Sequence, residues 1–274
     1  MNLLIIKLLE FWNALNNMNR EEKHILDALK ELKEVYGVYG VKAEFEAEGA
    51  RMDELISLRE LILRADLKFV TKIGGCEAVH DMQQCKLLGA TGVMAPMIET
   101  PFAMSKFVSA AKRVYGDEIN SIEWIINAET KTCYNNYEDI LEAGKGFLNA
   151  VTVGRSDLSA SMGIDRKDIE SKPVFDATRD LLEMSRKAGH VTNFGGNIGI
   201  ESIPFIQGMS DVADRFETRK VVIAMDHDES RLRKAIHKAL NFELLWLLNK
   251  KSYYARLSAE DEARIERMRN QLNK

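Results

Sequence analysis

The chain has 274 residues, 46% hydrophobic and 29% charged, enough for one large globular domain with a sizeable core. A formal net charge of −4 excludes bulk attraction to nucleic acid or to an anionic membrane surface. Three cysteines (Cys76, Cys85 and Cys133) are an odd number without paired metal spacing, which fits a reducing cytoplasm better than a disulfide framework.

The first segment, MNLLIIKLLEFWNALNNMNREEK, carries an apolar run interrupted by Lys7, Glu10 and Asn13. It is too short and too polar to span a bilayer, and no small-residue cleavage signature follows. An amphipathic helix is expected, its apolar face covered by a partner subunit or by the protein's own surface. A second helix over Glu21 to Tyr36, with Ile25, Leu26, Ala28, Leu29, Leu32 and Val35 on one face, completes an N-terminal helical region of residues 1–37.

Next comes a period-two segment, with Val41, Ala43, Phe45 and Ala47 on one side and Lys42, Glu44, Glu46 and Glu48 on the other. Helices then alternate with short apolar strands at Lys68 to Ile73, Thr91 to Ile98, Ile122 to Ala128, Leu148 to Val153, Val191 to Phe194 and Lys220 to Ala224. Seven strands, each followed by a helix, predict an all-parallel sheet with right-handed crossovers. A (β/α)8 TIM barrel over residues 38–228 matches best in length, its eighth strand irregular or hidden near Asp211 to Glu217. The alternative is an open doubly wound sheet, but no GxGxxG follows the first strand. From Glu229 the chain is helical, and residues 229–274 form a last barrel helix with an extension. Large apolar residues in that extension (Leu240, Phe242, Leu244, Leu245, Trp246, Leu247, Leu248) predict a homo-oligomer.

A barrel places its chemistry at the carboxyl ends of its strands. Those ends carry Glu46 and Glu48, Lys72, Glu99, Glu129, Arg155 and Asp157, and Asn193. The strand Leu148 to Val153 stops at Gly154 and runs into a polar turn: Arg155, Ser156, Asp157, Leu158, Ser159. Glu129 with Asp157 has the oxygen donors for a hard divalent ion, waters and substrate filling the rest. The structural alternative is that these acids balance the cations inside the barrel. The NFGGNIG stretch serves either as a phosphate-binding loop or as a tight turn. His24, His80, His227 and His237 lack a partner pattern, and Ser156 and Ser159 lack a triad.

INAET, followed about 25 residues later by VTVGRSDLSASMGI, resembles the metal-binding pair of the HpcH/HpaI aldolase and citrate lyase β-subunit family. EAEGARMDEL and TKIGGCEAVHDMQQCKLLGATGVMAPMIET fit the same family in order. The resemblance implies a metal-dependent lyase or aldolase in a barrel that handles pyruvate-, oxaloacetate- or phosphoenolpyruvate-like keto acids through a metal-stabilised enolate. It makes Glu129 and Asp157 ligands of Mg²⁺, with Mn²⁺ or Co²⁺ as alternatives. Two departures stand out. Lys72 occupies the place of an arginine that holds the pyruvyl carboxylate, and a point charge does not reproduce a planar fork. The acidic loop lacks the family's histidine base, leaving Glu48 as the best available base. Lys72 and Arg155 would bind the carboxylate with help from Gly154 and Ser156. A Schiff-base role for Lys72 is disfavoured, because nearby glutamates raise its pKa. The alternative function is a remodelled barrel that binds ligands or assembles without catalysis.

Overall fold

The structure, a computed structural model, describes residues 18–272, and the helix expected for the first segment lies outside them. The period-two segment forms β1 (Val38–Glu44). Val41 and Ala43 face the surrounding helices, while Lys42 and Glu44 face the interior. The remaining strands are β2 (Lys68–Lys72), β3 (Gly92–Ala95), β4 (Glu123–Ala128), β5 (Ala150–Gly154), β6 (Val191–Gly195), β7 (Arg215–Glu217) and β8 (Val221–Ala224). With β1 they close an eight-stranded barrel, as expected.

The all-parallel expectation needs one correction. β1 to β7 run parallel, but β8 is antiparallel to both β7 and β1. Three residues, Thr218 to Lys220, separate β7 from β8, and a parallel crossover needs a dozen or more. The strand hidden near residues 211–217 is therefore β7, and it turns back as a hairpin closed by Thr218 N–H donating to the Val221 carbonyl at 3.0 Å. The turn lies at the carboxyl end of the parallel strands, which delivers Thr218 and Arg219 to the barrel mouth.

Ten α-helices among the described residues surround the barrel: α1 (Arg20–Tyr36), α2 (Met52–Arg64), α3 (Val79–Leu88), α4 (Pro101–Tyr115), α5 (Lys131–Asn135), α6 (Tyr137–Ala143), α7 (Arg155–Ser161), α8 (Lys172–Lys187), α9 (Ile203–Gly208) and α10 (Glu229–Leu272). α1 starts at a capping box in which Asn19 Oδ1 accepts from Glu22 N–H at 2.8 Å and the Glu22 carboxylate accepts from Asn19 N–H. Its Ile25, Leu29 and Leu32 are buried.

The barrel interior is layered. At the amino end of the strands Glu123 accepts from Tyr39 Oη and Arg215, and the Arg215 guanidinium stacks 3.5 Å above the Tyr39 ring. Above it Val70, Met94, Ile125 and Ala150 form a small apolar plug. The third layer is charged and opens upward.

The 44-residue α10 is about 66 Å long at 1.5 Å per residue. Leu232, Ala235, Ile236, Ala239, Phe242 and Trp246 recur at helical spacing and are buried in the main core. Lys250 pairs with Glu54 at 2.8 Å and Tyr254 donates to Glu54 at 2.5 Å. Past Tyr254 the helix runs free of the barrel, exposing Leu257, Ile265, Met268 and Leu272.

Candidate active site

The mouth of the barrel holds a cavity of about 640 Å³ built from the charged third layer and the loops above it. Strand alternation brings Lys42 and Glu44, Lys72, Asn127, Thr152 and Glu217 to its walls. Cross-strand register aligns Asn127 with Thr152 and Thr152 with Asn193 at one level.

Glu129 follows β4 and is 1% exposed. Its Oε1 accepts from Met97 N–H at 3.0 Å, its Oε2 accepts from Asn127 Nδ2 at 2.8 Å, and Lys72 Nζ lies 3.6 Å from Oε2. Gly154 makes room for it: a Cβ there would stand 2.6 Å from Glu129 Oε2. Burial pushes the Glu129 carboxyl above the usual carboxylate range, against the pull of Lys72, Met97 N–H and Asn127. Asp157, in the first turn of α7, is exposed, lines the same cavity, and adds to that upward push. The pair singled out from sequence is thus brought together at the ends of adjacent strands.

Lys72, 6% exposed, forms an ion pair with Glu46 Oε2 at 2.8 Å. Burial lowers its pKa, but Glu129 and then Glu46 outweigh burial, and the net direction is upward. These neighbours favour the ammonium form. Beside it Lys42 is clamped by Glu217 at 2.5 Å and Glu44 at 3.2 Å. Burial pushes the Glu44 carboxyl up, yet Lys42, Lys72 and Arg219 bring it below its ordinary value.

Gly154 and Ser156 line the cavity as expected, whereas two other predicted residues do not reach it. Arg155 is fully buried behind the wall, where its guanidinium donates to the Gly195 and Gly196 carbonyls and to Glu170 at 2.8 Å. It stacks 4.2 Å over the Phe205 ring and holds the loop after β6. Every face of that side chain is used, so it is not the replacement cation for a substrate. Glu48 turns outward to Lys220 and Arg219 of the β7–β8 turn, and the nearby carboxylates that line the cavity are Glu44, at the end of β1, and Glu46 in the loop. Of the other strand-end residues, Asn193 donates to Thr152 and Glu217 below the cavity, and Glu99 is not part of its lining. Sequence reasoning missed Asn127, Glu217, Arg166 and Arg219; alternation back from Glu129 signals the first, and none marks the others.

The lining carries seven carboxylates (Glu44, Glu46, Glu129, Asp157, Glu201, Glu217, Glu243) against four cations (Lys42, Lys72, Arg166, Arg219). No group of three or more His, Cys, Asp or Glu side chains among the described residues is arranged to hold a metal. Two carboxylates with waters and substrate suit Mg²⁺, which keeps several waters, better than a closed structural site. The buried Asn127 Oδ1, without a partner, adds an acceptor at the same floor. These residues fit a hard divalent ion.

The HpcH/HpaI aldolase/citrate lyase family model matches residues 57–194, half of the chain, a span that includes Lys72, Glu129 and Asp157. Solved structures share the fold. An HpcH/HpaI aldolase/citrate lyase family protein from Burkholderia cenocepacia J2315 is 20% identical, with 79% of this chain and 89% of that chain covered and a TM-score of 0.57. An HpcH/HpaI aldolase from Desulfitobacterium hafniense DCB-2 is 16% identical, with 73% and 81% covered and a TM-score of 0.54. A citrate synthase variant, SbnG, is 15% identical, with 78% and 96% covered and a TM-score of 0.52. No curated protein matches the sequence. On the family match, which covers half of the chain and includes Lys72, Glu129 and Asp157, the chain belongs to the HpcH/HpaI aldolase/citrate lyase family.

Proposed function

We propose that the protein is a metal-dependent carbon–carbon lyase acting on a pyruvate-, oxaloacetate- or phosphoenolpyruvate-like keto acid. The observation that supports it most is the acid surplus of the cavity, centred on Glu129 and Asp157. A divalent ion held by these two, Mg²⁺ foremost, would polarise the ketone and offset the negative charge that develops as the neighbouring carbon–carbon bond breaks or forms. Lys72 would attract the substrate carboxylate as a point charge, sharing that charge with Glu46 and Glu129. Gly154 keeps the wall open beside Glu129, and Ser156 borders the same space. Glu46 replaces Glu48 as the carboxylate placed to accept a proton, because it lines the cavity and Glu48 does not. Three free thiols suit a reducing, cytoplasmic setting. No helix among the described residues is long and apolar enough to cross a membrane.

Oxalate, which resembles the planar enolised keto acid, tests this directly. Calorimetry should show oxalate binding in the presence of Mg²⁺ and none after chelation. Equal oxalate affinity with and without the ion would remove the metal from the function.

The proposal includes a homo-oligomer that covers the exposed apolar residues of α10. Truncation after Asp228 would delete Leu232, Ile236, Phe242 and Trp246 from the core and unfold the barrel. A chain ending at Tyr254 keeps that core. It should melt cooperatively yet run as a smaller species in light scattering, and an unchanged mass would rule out the free end of α10 as the contact.

A further inference from the structure

The four cations that line the mouth are not equivalent. Lys42 is paired with the buried Glu44 and Glu217, and Lys72 with the buried Glu129 and the half-buried Glu46. Arg219 meets Glu48 at 3.3 Å and Glu44 at 3.8 Å. Arg166 instead donates twice, through Nε at 3.3 Å and Nη2 at 2.9 Å, to the neutral Oδ1 of Asn197. Among the described residues no carboxylate lies within ion-pair distance of it, although Asp157 and Glu201 share the cavity lining.

Asn197 is held for this contact. It sits in the left-handed region at φ 52°, which asparagine tolerates better than most residues. Gly196 before it has φ 96° and packs so closely on α7 that a Cβ would stand 2.6 Å from the Ser156 nitrogen. Arg155 grips the same loop from behind through the Gly195 and Gly196 carbonyls. The glycine-rich stretch is therefore both a tight turn and a wall of the cavity. It orients the exposed guanidinium through a neutral acceptor and leaves it without a carboxylate partner, so its remaining donors are free to donate to a carboxylate or phosphate.

The cavity is also far larger than a three-carbon keto acid requires. We infer that Arg166, presented by Asn197, is an anion subsite that recognises a second carboxylate or phosphate, at the end of the ligand away from its keto-acid group. That ligand description rests on the keto-acid function proposed above, whereas the subsite itself does not.

The test uses the full chain with Mg²⁺ and two keto acids, 2-oxoglutarate with an anionic tail and 2-oxobutyrate with a neutral one. The parent should bind 2-oxoglutarate at least tenfold tighter. Arg166→Gln should abolish that preference, and Arg166→Lys should restore part of it. Succinate and inorganic phosphate are titrated separately without metal; whichever binds more tightly identifies the preferred anion, and Arg166→Gln should weaken it at least tenfold. If neither keto acid binds but the simple anions do, and depend on Arg166, the subsite stands and the keto-acid function falls. A preference unchanged in Arg166→Gln, or no anion binding by the parent, overturns the subsite.

Discussion

Glu129→Gln and Asp157→Asn are each expected to lower Mg²⁺ affinity at least a hundredfold, about 2.8 kcal/mol, while the barrel stays folded. Both side chains face one cavity, and each loss removes one of the two charged donors proposed for the ion. The fold should survive for separate reasons. Asp157 is exposed, and a surface change of this kind stays within about 0.5 kcal/mol. In Glu129→Gln the amide oxygen still accepts from Met97 N–H or Asn127, and Lys72 retains Glu46. Burial has already raised the Glu129 carboxyl, so a proton competes with the ion, and Mg²⁺ affinity should fall as pH is lowered. Calorimetry and thermal melting on the two variants decide the matter. Loss of folding with metal binding intact would mean that the acids serve only to balance buried cations.

Lys72→Met is expected to cost about 3–5 kcal/mol of stability, because Glu46 and the buried Glu129 lose their shared counter-ion. Lys72→Arg keeps the charge and should retain most of both stability and keto-acid binding, whereas Lys72→Met should weaken binding by about 2–3 kcal/mol. The pH dependence follows from the raised pKa. The Lys72 contribution is complete below its unfolded value, about 10.4, and disappears as pH rises through the higher folded value. The parent and Lys72→Met stability curves should therefore converge only at strongly alkaline pH. Borohydride should trap no adduct on an amine held as an ammonium. A stable keto-acid adduct on Lys72 would make the enzyme a Schiff-base lyase instead.

The parts of this site set by local alternation were legible in the sequence. The period-two run placed Lys42 and Glu44 inside, the same parity placed Lys72 in the mouth, and short turns after β4 and β5 delivered Glu129 and Asp157. What depends on distant partners was not. Glu48 turns away because Arg219, 171 residues later, meets it at the rim. Arg155 is drawn behind the wall by Phe205 and the carbonyls after β6, contacts that no spacing of its own turn encodes. β7 was obscure for a different reason. It is three residues long, and two of them, Arg215 and Glu217, point their charges into the barrel, so it lacks the apolar signature of its neighbours.

Proton exchange at the methyl group of pyruvate examines the central claim without requiring the natural aldol partner. In deuterated water with Mg²⁺, the protein should promote loss of the pyruvate methyl signal in the NMR spectrum, and chelation or Glu129→Gln should return the rate to background. Metal and pyruvate binding with no exchange above background would contradict a lyase that works through enolisation, and would leave a remodelled barrel that binds its ligand without turning it over.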